Sequence, residues 1–66
     1  MKKYQIEVFY EKNMIFEAEA DTKETVLDIL NCFFFRHDLL YFTVKDDSGK
    51  AVPHYYYDKV SDSVVY

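Results

Sequence analysis

Tyr4, Ile6, Val8 and Tyr10 alternate with Gln5, Glu7, Phe9 and Glu11, the period-two pattern of a strand buried on one face. Met14, Phe16, Ala18 and Ala20 repeat the pattern against Ile15, Glu17 and Glu19. The two runs predict a hairpin whose register can be tested on apolarity. A two-residue turn at Lys12-Asn13 sets Val8 against Glu17 and Ile6 against Glu19. A three-residue loop, Glu11-Lys12-Asn13, sets Val8 against Phe16 and Ile6 against Ala18, and is preferred because it keeps one face apolar. Asn13 suits the left-handed conformation that ends such loops.

Asp21-Thr22-Lys23-Glu24 reads as a helix start, with Asp21 or Thr22 as cap and Glu24 placed for the reciprocal contact. The helix is predicted from residue 22 or 23 to 36. At about 100° per residue, Ile29, Phe33, Val26, Leu30, Phe34 and Leu27 fall within an arc of about 160°. Glu24, Asp28, Asn31 and Cys32 lie opposite, and Phe35 is expected to project outward with them. A third strand is predicted at 39 to 45 and a fourth at 51 to 57, joined by Asp47-Ser48-Gly49 with Gly49 at positive φ. Pairing Val44 with Val52 sets Phe42 opposite His54 and Leu40 opposite Tyr56 as core. The other face then pairs Tyr41 with Tyr55 and Leu39 with Tyr57. Pro53 places the fourth strand at an edge or beside a bulge, since it has no N–H to give. Residues 58 to 66 end in Val64-Val65-Tyr66, either a short fifth strand or an arm reaching a second copy. The expected fold is α+β, a single domain over 1–66 in the order β-β-α-β-β, with one amphipathic helix on a mainly antiparallel sheet. That order is similar to that of ubiquitin-like β-grasp proteins, in which a helix crosses between two hairpins; the resemblance is one of element order and implies no activity.

Composition sharpens this picture in one respect. Seven Tyr and six Phe are more aromatic side chains than 66 residues can bury, and outward aromatics on a small domain mark a contact surface. A core of this size barely offsets conformational entropy, and the lone Cys32 excludes an internal disulfide, so self-association is one source of extra support. Twelve carboxylates against eight Lys and Arg give a net charge of −4, which disfavours nucleic acid as a direct partner. Glu7 and Glu11 interrupt any signal-peptide core after Lys2 and Lys3, and no run is long enough for a membrane span. The expected compartment is cytoplasmic, or the host cytoplasm for a phage-encoded chain.

Candidate chemistry is sparse. The hairpin register sets Glu7 opposite Glu17 with Glu19 diagonal, a like-charge arrangement that normally destabilises. It reads either as a solvated face or as an acidic patch for a basic partner, with Phe9 and Ile15 on the same face. Paired carboxylates can serve glycoside cleavage, but only in a pocket that a domain this small has little room for. A divalent cation on Glu7, Glu17 and Glu19 would lack a loop framework. Cys32, His37 and His54 show no metal-ligand spacing. His37 suits a helix C-terminus, and His54 is expected in the core. Ser48-Gly49-Lys50 is a turn rather than a phosphate cradle, and Ser61 and Ser63 have no nucleophilic constellation around them. No catalytic residue, cofactor or metal is therefore assigned, and no enzyme is expected.

The composition resembles, in type, the small acidic inhibitors made by phages and mobile elements, including anti-CRISPR and other anti-defence proteins. The expected function is stoichiometric binding to a basic surface of another intracellular protein. The expected contact residues are Glu7, Phe9, Glu17, Glu19, Phe35, Tyr41, Tyr55 and Tyr57. The alternative is a homodimer whose aromatic interface cups a nucleotide-like ligand.

Overall fold

The period-two runs become the first two strands of the computed structural model, which describes residues 3–33, 35 and 39–66. Strand β1 (Tyr4–Tyr10) pairs antiparallel with β2 (Asn13–Ala20), with Ile6 facing Ala18, Val8 facing Phe16 and Glu7 facing Glu17, the register that apolarity selects. The loop is nevertheless shorter than expected. Glu11 and Lys12 alone form it, at φ 51° and 77°, and Asn13 opens β2 opposite Tyr10. A turn with both central residues at positive φ has the twist that a hairpin favours. The residue by which the loop is shortened is taken up within β2 as a bulge at Ile15. Phe9 faces Met14, and Ile15 has no partner across the pair.

Helix α1 (Lys23–Leu30) starts at Thr22, whose hydroxyl oxygen accepts the Thr25 N–H at 3.2 Å. It ends one to two turns before the predicted boundary at residue 36, because the side chain of Asn31 finds a better partner than another turn. Its Nδ2 donates to the carbonyls of Leu27 (2.9 Å) and Val64 (3.2 Å), and its Oδ1 accepts the Val64 N–H at 2.7 Å. The backbone then tightens, with Cys32 N–H on Ile29 and Phe33 N–H on Leu30. Helical phase no longer applies beyond that point. Phe35, expected outward, is buried at 7 % exposure and meets Phe42 at 4.8 Å and Phe33 at 6.0 Å between ring centroids. The expectations for Phe34, Arg36 and His37 lie outside the described residues.

Strand β3 (Leu40–Asp46) joins the free side of β1, giving an antiparallel sheet in the order β2-β1-β3. The predicted fourth strand over 51 to 57 does not form. Only Lys45 bridges to Ala51 and Val52 N–H reaches the Val44 carbonyl; Pro53, lacking a donor, follows at once. The turn at Pro53-His54 resets the alternation. Tyr55, expected outward, is buried, whereas Tyr56 and His54, expected in the core, are exposed. Gly49 does take positive φ, at 86°. The last residues form a second hairpin, β4 (Tyr56–Asp58) with β5 (Ser63–Val65), so the fifth strand exists and folds back on its own chain. The two-hairpin arrangement behind the β-grasp resemblance is thus replaced by a three-stranded sheet and a separate two-stranded one.

The result is an α+β domain with its core on one side of the larger sheet. Ile6, Val8, Ala20 and Val44 supply that side, and Val26, Leu30, Phe35, Tyr55 and Val64 cover it. Phe16, placed in the core by the pattern, lies on the same side at the rim, 37 % exposed against Phe33. The opposite side of the sheet carries no helix or strand among the described residues.

Candidate functional site

Because β1 is central, three residues abreast form each row of the uncovered face. The row nearest the β1–β2 turn is Met14, Phe9, Tyr41; the next is Glu17, Glu7, Thr43; the third is Glu19, Gln5, Lys45. The first row is apolar. Phe9 and Tyr41 stack with centroids 5.1 Å apart and planes 11° from parallel. Met14 is 50 % and Tyr41 45 % exposed, and Ile15 and Leu39 are also exposed at this end. The bulge is what brings Met14 here, since unbroken alternation would have left it on the core side.

The acidic row is less bare than the hairpin alone implies. Glu7 Oε1 accepts the Thr43 hydroxyl at 3.2 Å and lies 3.5 Å from Lys45 Nζ, and its side chain is only 16 % exposed. Gln5 Nε2 donates to Glu17 Oε2 at 3.0 Å. The Glu7–Glu17 repulsion is therefore relieved from both sides, and Glu7 is a structural carboxylate more than a surface one. Glu17 and Glu19 remain exposed. Beyond them, at the far end of the sheet, Lys3, Gln5, Glu19, Asp46 and Asp47 line an open cavity of about 340 Å³. Asp46 Oδ1 accepts Ser48 N–H (2.9 Å), Ser48 Oγ (2.6 Å) and Lys50 N–H (3.0 Å), and these donors hold its carboxyl below the ordinary range.

Of the eight residues expected to make contacts, five therefore share one face or its rows: Glu7, Phe9, Glu17, Glu19 and Tyr41. The other three are elsewhere. Phe35 is core. Tyr55 packs edge-on against Tyr66 (4.9 Å) and Tyr4 (6.4 Å), its hydroxyl has no partner among the described residues, and burial pushes it up to about 12. Tyr57 belongs to the second hairpin, half-buried, with its hydroxyl on the Asp62 carboxylate. The expected Tyr41–Tyr55 and Leu39–Tyr57 pairs are thus absent; Tyr41 faces Phe9 instead.

Of the residues that invite metal or thiol chemistry, His37 lies outside the described residues, and Cys32 and His54 make separate contacts. Cys32 is exposed, its Sγ 3.4 Å from the Asp28 carbonyl, and His54 packs on Tyr66 at 5.4 Å. Among the described residues no three of His, Cys, Asp or Glu are grouped to hold a metal, and no helix is long and apolar enough to cross a membrane. The chain matches no protein-family model, no curated protein and no solved structure.

Proposed function

We propose that this protein is a stoichiometric binding module whose uncovered sheet face caps a basic surface on another protein, in the manner of the acidic inhibitors that phages and mobile elements direct at host nucleic-acid enzymes. The observation that carries the reading is the face itself. A half-buried Phe9 stacked on an exposed Tyr41, with exposed Met14, lies beside Glu17 and Glu19, and among the described residues no helix or strand covers them. Rigid exposed aromatics supply contact area at low entropic cost, and flanking carboxylates steer a cationic partner. The geometry needs no bound cofactor and no reacting group. A reducing cytoplasm suits the exposed, unpaired Cys32.

Affinity capture with three baits tests the proposal: the native chain, Glu17→Lys with Glu19→Lys, and Tyr41→Ser. A protein retained by the native bait and lost from both variants, and released as salt rises, is the expected result. Identical captures by all three baits would refute it.

A further inference from the structure

The rows of the face are ordered, and the order specifies the partner. On this proposed-function reading, we infer that the face takes an extended segment carrying an apolar side chain and, four residues along, an arginine. Strand rise is about 3.4 Å per residue, so the Phe9 row and the Gln5 row, four residues apart on β1, are separated by about 13 to 14 Å. An extended chain spans that distance in four residues. The apolar anchor belongs at the stacked Phe9–Tyr41 pair with Met14 beside it. The cation belongs at the other end, where Glu19 is exposed and shares an open cavity of about 340 Å³ with Gln5, Asp46 and Asp47. Among the described residues that line it, Glu19 and Asp47 stand with Asp46, whose Oδ1 is already taken by Ser48 and Lys50, against the ammonium of Lys3, so the cavity complements positive charge. The middle row adds Glu17, whereas Glu7 is already engaged by Thr43 and Lys45.

Arginine fits this end better than lysine for two reasons. Its planar fork can donate to two carboxylate oxygens at once, and it is less strongly hydrated than an ammonium. A second copy of the chain is disfavoured by charge, since two copies of net charge −4 repel.

The probe is an acetylated, amidated five-residue peptide with phenylalanine first, arginine fifth and threonines between, titrated into the full chain labelled with nitrogen-15. Expected are shifts at the Gln5 side-chain amide, the Gly49 N–H and the Tyr41 N–H, weakened about tenfold when citrulline, the uncharged isostere, replaces arginine, as for loss of a hydrogen bond to a charged group. Glu19→Gln should produce a similar loss, and a peptide with the two residues adjacent should bind no better than either residue alone. Equal binding by the citrulline peptide overturns the inference, as does absence of shifts at 10 mM peptide, taken as about the weakest useful affinity. So does a sedimentation mass twice that of the chain that reverts to monomer with Tyr41→Ser, which would make a second copy the occupant. A partner captured by the native bait and lost from both variants, while the arginine peptide fails, would leave the proposed function standing and remove only this inference.

Discussion

Replacing Tyr55 with Phe should make the protein more stable. The phenol ring is 6 % exposed and packs edge-on against Tyr4 and Tyr66, while its hydroxyl is buried with no hydrogen-bond partner among the described residues. Phe keeps the ring contacts and removes only the unsatisfied oxygen. Burying an unpaired polar group costs about 1–3 kcal/mol, so at neutral pH a gain of about 1 kcal/mol is expected, or about 4–8 °C in Tm for a domain of this size. Alkaline pH amplifies the difference. Burial raises the phenol from 10.0 to about 12, so its contribution to native stability is complete below pH 10 and is lost as pH climbs toward 12, where the unfolded chain ionises and the folded one does not. Integrated at up to about 1.36 kcal/mol per pH unit, the native protein loses about 2 kcal/mol between pH 10 and 12 through this group, and Tyr55→Phe loses none of it. Urea unfolding followed by circular dichroism at pH 7, 10 and 11.5 measures both effects. A destabilised variant, or a gap that stays constant above pH 10, would refute the reasoning by showing that the hydroxyl is satisfied or wet.

Three further outcomes follow from other parts of the fold. Asn31→Ala removes the side chain that satisfies both backbone groups of Val64 and should cost about 2–3 kcal/mol, read as a lower urea midpoint at unchanged m-value. Glu11→Asn with Lys12→Gly places residues that tolerate positive φ where φ is 51° and 77°, and should stabilise by about 1 kcal/mol in the same assay. The Ser48 and Lys50 amide resonances should move together on acid titration with a midpoint below the ordinary 3.8 of Asp46, because its depressed carboxyl supports the turn above that point and releases it as pH falls through it.

What the sequence made legible is whatever a local pattern controls. Ile6, Val8, Ala18 and Phe16 identify one another by apolarity, and Gly49 announces its own turn. The failures occur where a distant contact overrides the period. Helical phase predicts Phe35 outward, but Asn31 bonds to a backbone 33 residues away and ends the helix first. Strand alternation predicts Tyr55 outward, but Pro53 gives no N–H and the phase restarts after it, exchanging Tyr55 with Tyr56. At the candidate site the facing glutamates could be read from the hairpin, whereas their relief by Thr43 and Lys45 could not, because β3 lies beside β1 by a long-range choice. Lys45, of the same parity as Tyr41 and opposite in charge to Glu7, was the one available hint. Phe9 and Tyr41 accordingly lie on the uncovered face, Tyr56 is exposed, and Phe35 and Tyr55 are core.

The most direct test of the claim that the uncovered face is the contact surface is hydroxyl-radical footprinting of the protein alone and in complex with its captured partner. Met14 and Tyr41, half-exposed on that face, should lose reactivity on binding, while Tyr56 and Val60 on the second hairpin, 55 % and 96 % exposed, should keep theirs. Protection of Tyr56 and Val60 with Met14 and Tyr41 unchanged would contradict the account.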